Sequence, residues 1–271
     1  MHLKRWLTSI AALPLLGLLI YKGGPLLFAV LVSIVAIVAL WEYYRIGRIP
    51  WNGRRKASIP FIGFAICPLM IWGAYKSSFE IMLGLLVLNV VFIGLISLLQ
   101  FQSDPNVSDL IKKQVFGIVY VPLFLSSLVM IRNGTAGIAW IFFLLVVIFA
   151  GDIAAYYVGS YLGRHKLCPA ISPGKTIEGS IGGLAANLVA GSLFKFYFFM
   201  QLPWLAAIPF FLLLGVAGQG GDLFESELKR FANVKDSGVI LPGHGGILDR
   251  IDALLFAAPV AFAFKEYILT L

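Results

Sequence analysis

The sequence predicts an all-α, polytopic integral membrane protein of about nine transmembrane helices, and three observations predict it. Hydrophobic residues make up 60% of the chain against 13% charged, with a mean hydropathy of +0.92, whereas soluble domains carry roughly 25% charged residues. The apolar residues fall in runs close to the ~20 residues that a helix needs to cross ~30 Å of hydrocarbon. Lys and Arg gather in alternate connections between those runs.

The first run, 6–21, follows Lys4-Arg5 and superficially resembles a secretory signal. It is read as a retained span, because a second span follows within a few residues and no small-x-small cleavage site precedes it. The second, 25–44, ends at the cations Arg45 and Arg48, and Arg54, Arg55 and Lys56 introduce the third, 57–74. A fourth, 79–100, follows Lys76; a fifth, 115–131, lies between Lys112-Lys113 and Arg132. The sixth, 137–161, runs up to Arg164, and 179–200, 203–220 and 250–270 complete the set. With a cytoplasmic N-terminus this arrangement puts 16 of the 21 Lys and Arg on the cytoplasmic side and 5 opposite, the bias expected of an inner-membrane protein. The same bias explains the net charge of +8 through topology and anionic headgroups, so nucleic acid is not an expected partner. Residues 1–131, about five spans, read as an N-terminal scaffold; residues 132–271, about four spans, carry the polar clusters. Cys67 and Cys168 stand in no metal-ligand or redox spacing, and no disulfide is expected.

Charged residues crowd into Ser226–Asp252, SELKRFANVKDSGVILPGHGGILDRID, directly between two apolar spans. This segment resembles the signature of the phosphatidate cytidylyltransferase (CDP-diacylglycerol synthase) family, Ser-x-x-Lys-Arg-x4-Lys-Asp followed by Pro-x-His-Gly-Gly-x-x-Asp-Arg-x-Asp. Every fixed position is present: Ser226, Lys229, Arg230, Lys235, Asp236, Pro242, His244, Gly245, Gly246, Asp249, Arg250 and Asp252. A second string, Ser172-Pro173-Gly174-Lys175-Thr176-Ile177-Glu178-Gly179, looks like the Ser-Pro-x-Lys-Thr-x-Glu-Gly segment of the same family. The resemblance covers the last four spans well, and the first five only through their hydrophobic character. It implies transfer of CMP from CTP to phosphatidic acid, giving CDP-diacylglycerol and pyrophosphate, by a multi-pass membrane enzyme whose active site faces the cytoplasm.

The residue types suit that chemistry. Asp222 and Asp249 bracket the signature at two helix ends, and hard carboxylate oxygens suit Mg2+, which takes one or two protein carboxylates and fills its other positions with water and phosphate oxygens. An isolated interfacial Asp commonly caps or salt-bridges a helix terminus; within this motif a metal or substrate role is expected. The identity of any second cation stays open. Asp252, three residues after Asp249 on one helix face, is a further ligand or an orienter of Arg250. Lys229, Lys235 and Arg250 supply positive charge for a triphosphate, while Arg230 is equally readable as cytoplasmic flank. Ser226 and Asp236 enter as substrate-binding residues through the resemblance. His244, in a Gly-rich turn, either donates to a phosphate or base or is simply solvated.

In the second string Lys175 and Ser172 are candidates for substrate phosphates, and Gly179, Gly182 and Gly183 are best explained by close helix packing. Its Gly-Lys-Thr is not a phosphate-binding P-loop, because the GxxxxGK[ST] spacing fails at Pro169 and no strand is expected before it. Asp152 is ionisable inside a span, expensive and functional by default; it pairs with Lys175 or faces the metal site. Membrane lipid is an expected partner and a homodimer the default assembly. Three rival classes are weighed. A CTP-dependent lipid kinase would transfer the γ-phosphate to an alcohol. A transporter would carry discontinuous spans with inverted-repeat partners, which are not found. A purely structural protein would not need so dense an interfacial charge cluster.

Overall fold

The computed structural model describes residues 14–49, 58–101, 107–238, 240 and 245–269. Lys4, Arg5, Arg54, Arg55, Lys56, Pro242 and His244 lie outside the described residues, as does the start of the first expected span.

Helices dominate, as membrane burial requires: with no water in the hydrocarbon, each backbone N–H and C=O must be satisfied within its own segment. The order is α1 (14–22), α2 (Gly24–Ile46), α3 (Ser58–Tyr75), α4 (Phe79–Gln100), α5 (Val107–Ile118), a π-helical turn (Val119–Leu123), α6 (Phe124–Asn133), α7 (Gly137–Leu162), β1 (Lys166–Cys168), β2 (Ser172–Thr176), α8 (Ile177–Phe198), α9 (Trp204–Phe231) and α10 (Leu248–Ala263), closed by a π-helical turn (Phe264–Ile268). Among the described residues six segments are long and apolar enough to cross a membrane: Gly24–Ile46, Phe79–Leu99, Val107–Asn133, Gly137–Leu162, Ile177–Phe198 and Trp204–Phe231. Ile59–Tyr75 is a shorter apolar helix. The protein is therefore an all-α membrane protein.

Local signals account for the boundaries. Gly24 takes a positive φ and Pro25 opens α2, where its missing N–H costs nothing. Ser78 caps α4 by accepting from Ile81 N at 3.3 Å, and Thr176 caps α8 by accepting from Gly179 N at 3.1 Å. Pro122 cannot donate within its helix; the ladder widens there into a π turn, and Ser126 Oγ donates to the Pro122 carbonyl at 2.7 Å.

The chain divides into two compact units, residues 1–133 with 232–249, and residues 134–231 with 250–271. In the first, Tyr43 and Tyr44 of α2 pack with Phe64 of α3 and with Phe116 and Tyr120. Asn89 and Gln114 exchange two buried amide hydrogen bonds of 2.9 and 3.2 Å between α4 and α5, and Arg48 donates to the Ala232 carbonyl at 3.1 Å. In the second unit, Trp140 and Phe143 of α7 cluster with Phe199, Phe210 and Phe211. There α7 and α8 approach closely because Gly179, Gly182 and Gly183 face Ala155, Val158 and the Gly151 carbonyl with no room for a side chain, the packing role expected of those glycines.

Candidate active site

In the second unit four helices and a hairpin bring polar groups together. Lys175, at the end of β2, forms an ion pair of 2.7 Å with Asp222 of α9. Both side chains are partly exposed, and such pairs are worth about 0–1 kcal/mol, so the pairing contributes little to stability. Asp152 of α7 and Asp252 of α10 are close enough to Asp222 to repel it, and Asp152 and Asp252 also repel each other. Gly221 explains the approach of α9 to α10: any side chain there would strike the Asp252 carbonyl. One turn beyond Asp222, the fully buried Glu225 holds Lys229 in an i,i+4 ion pair. Ser226 lies half-buried between them in sequence.

Lys175 is positioned by a feature that differs from expectation. A short strand does precede the Gly-Lys-Thr string: β1 pairs antiparallel with β2, Lys166 opposite Thr176 and Cys168 opposite Ser172. Three residues without apolar alternation give no strand signature in sequence, and pairing with β2 supplies the order. Gly174, Lys175 and Thr176 lie within the strand itself, with Thr176 paired to Lys166, rather than in a Gly-rich loop between a strand and a helix, in agreement with the failed P-loop spacing. Glu178 fastens the hairpin to α8 by accepting from Arg164 N at 3.1 Å and from His165 N, and it contacts His165 Nδ1 at 2.6 Å. Arg230 Nε donates to the Ile171 carbonyl at 3.0 Å, tying the end of α9 to the hairpin turn.

Asp152, Asp222 and Asp252 are mutually repelling carboxylates, and hard carboxylate oxygens are the donor type that suits a divalent cation. Lys175 is ion-paired with Asp222, and Lys229 is ion-paired with Glu225 and also attracts Asp252. Among the described residues no three His, Cys, Asp or Glu side chains are grouped to hold one ion, and Mg2+ asks for only one or two carboxylates.

The signature loop folds in the first unit. Lys235 and Asp236 are exposed, whereas Ser237 is buried. Asp249 accepts from Ser237 N at 3.0 Å and from Gly246 N at 2.8 Å. Asp222 and Asp249 thus belong to different units. Arg250 is exposed on the first turn of α10.

Two residues were missed in the sequence. Glu42 of α2 is fully buried and accepts from Ser237 Oγ, Ile247 N and Leu248 N; its signal is an ionisable group in an apolar span, the same rule that marks Asp152. Glu225 was legible as the i−4 neighbour of Lys229.

Comparison with known proteins agrees over nearly the whole chain. The sequence model described as "Cytidylyltransferase family" matches residues 3–268. The chain is 36% identical over 265 residues to a phosphatidate cytidylyltransferase of Bacillus subtilis, covering 96% of each chain. It is 33% identical to a phosphatidate cytidylyltransferase of Staphylococcus haemolyticus, over 94% of this chain and 96% of that one. With the same coverage it is 32% identical to a phosphatidate cytidylyltransferase of Staphylococcus aureus. Matched from end to end in a chain that carries both polar motifs on apolar helices, this protein belongs to the cytidylyltransferase family.

Proposed function

We propose that this protein is a phosphatidate cytidylyltransferase, converting CTP and phosphatidic acid into CDP-diacylglycerol and pyrophosphate for phospholipid synthesis. The observation that carries the reading is the carboxylate and lysine centre around Asp222, on the helix that also bears Ser226, Lys229 and Arg230, in a chain collinear with relatives of that name.

An oxygen of the phosphatidate monoester attacks the α-phosphorus of CTP, the bond from that phosphorus to the bridging oxygen breaks, and pyrophosphate leaves with the electron pair. The nucleophile is already anionic at neutral pH, so no strong general base is required. The difficulty is charge, since two anions must meet, and such transfers rest on positioning and electrostatic neutralisation. Lys229 and Lys235 are proposed to neutralise charge as it develops. Ser226, Asp236, His244 and Arg250, with Ser172, Lys175, Asp152 and Asp252, are proposed to bind and orient the substrates. Asp222 and Asp249 are the proposed Mg2+ carboxylates, and bound Mg2+ would supply charge neutralisation at the triphosphate; a second cation is left without an identity. The distribution of Lys and Arg supports an inner-membrane enzyme of about nine spans with these residues on the cytoplasmic side. A homodimer is the proposed assembly, tested by cross-linking in native membranes.

The test is purified protein with phosphatidic acid, Mg2+ and CTP labelled separately at the α- and γ-phosphates. Lipid carrying the α label is the expected product. Lipid carrying only the γ label would replace this reading with a lipid kinase.

A further inference from the structure

Glu42 belongs to α2, far in sequence from both motifs, yet it is the acceptor around which the signature loop folds. Its carboxylate accepts from Ser237 Oγ at 3.2 Å, Ile247 N at 3.1 Å and Leu248 N at 2.7 Å. Ser237 Oγ in turn accepts from Asp249 N at 3.3 Å. Three consecutive N–H groups at the start of α10, which have no partner inside the helix, are thereby satisfied by Glu42 and by the serine it holds. The negative charge also sits where a helix N-terminus favours it. Gly238 and Gly246 are packed so tightly on the carboxylate that a side chain at either would collide with it; these two glycines make room for Glu42. A buried carboxylate is costly unless fully hydrogen-bonded, and an apolar side chain would pack a membrane helix without that cost. The charge at position 42 is explained by what it holds.

We propose that Glu42 is a positioning residue of the nucleotidyltransferase site. From the N-terminal spans it fixes Ser237 and the Ile247–Asp249 backbone at the start of α10, and through Ser237 it sets the direction in which Asp249 presents its carboxylate. The inference rests on the proposed function only in treating this loop as part of the active site.

The experiment uses the full chain in detergent or nanodiscs and compares Glu42→Gln, Glu42→Asp, Ser237→Ala and the Glu42→Gln/Ser237→Ala double variant. The readouts are kcat, the Mg2+ concentration giving half-maximal rate, hydrogen exchange over residues 245–249, and melting. Glutamine turns an amide donor toward three donors. We expect Glu42→Gln to lose loop protection, to need more Mg2+, and to turn over about 10²-fold more slowly, the cost typical of misplacing a catalytic group by about 1 Å. Glu42→Asp keeps the charge and should turn over faster than Glu42→Gln. The double variant should be no slower than Glu42→Gln by more than about twofold, because both changes act on one element. Wild-type kcat, Mg2+ requirement and exchange in a folded Glu42→Gln protein overturn the proposal, as do fully multiplicative rate losses in the double variant. If Glu42→Gln does not fold, Ser237→Ala decides: faster exchange at 245–249 with a raised Mg2+ requirement supports the proposal, and unchanged values overturn it. Exchange needs no substrate, so a loop that loosens in a protein whose wild type makes no CDP-diacylglycerol would indict the proposed reaction and leave the clamp standing.

Discussion

The two units treat their carboxylates in opposite ways. In the first, Glu42 and Asp249 are surrounded by N–H and O–H donors, and their charge is spent on holding a loop. In the second, Asp152, Asp222 and Asp252 repel one another; Lys175 is ion-paired with Asp222 and also attracts Asp152, while Lys229 attracts Asp252. Asp249 and Asp252 are three residues apart on one helix, yet Asp249 draws backbone donors from Ser237 and Gly246 of the preceding loop while Asp252 accepts from the adjacent Ala253 N, at 2.8 Å. A carboxylate wrapped in donors is fixed in its geometry, whereas a crowded one sits where like charges oppose one another. Residue type alone does not separate these uses.

Neutralising Asp222 probes the crowded group and carries the largest expected effect. Asp222→Asn should reduce turnover by about 10²–10³-fold, the cost of removing a key electrostatic element, with stability changed by less than about 1 kcal/mol because the ion pair is partly exposed. Rate and melting measured on one preparation check both halves. A folded, near-normal Asp222→Asn enzyme would break the contrast.

Asp249→Asn sharpens it from the other side. One of the two oxygens that receive Ser237 N and Gly246 N becomes an amide, so the loop should lose about 1–3 kcal/mol and turnover should fall with it. A turnover loss as large as that of Asp222→Asn with no change in melting would mean that Asp249 acts on the reaction chiefly as a ligand.

Lys175→Ala should have the smallest effect. A cation touching phosphate acts in the ground state as well as the transition state, so KM should rise about tenfold with kcat changed less, as initial rates at several CTP and phosphatidate concentrations would reveal. A fall in kcat at constant KM would instead assign Lys175 to the transition state.

Much of this was legible in sequence because membrane helices announce themselves by length and polarity. Six described segments are long and apolar enough to cross a membrane, and the polar strings resolve into one hairpin, two helix ends and the loop between them. Lys175 and Asp222 stand 47 positions apart in sequence and form an ion pair. The hairpin was not legible, since β1 is three residues long and is ordered by its partner strand. Glu42 carried the signal of an ionisable group in an apolar span, but its partners were not legible, because its donors are mostly backbone N–H groups, which every sequence contains and no side-chain pattern marks. Glycines 238 and 246 carry no mark of their role in sequence; in the fold they are clearance for a carboxylate.

The reach of Glu42 also bears on how the protein is made. Its partners arrive 195 to 206 residues later in the chain, which at about 5–20 residues per second is some 10–40 s of synthesis. Throughout that interval α2 is already made while its carboxylate lacks the donors that will enclose it. A chain cut short before residue 237 can never supply them. Closure around Glu42 is therefore a late event in synthesis, one that waits for nearly the whole chain to be made.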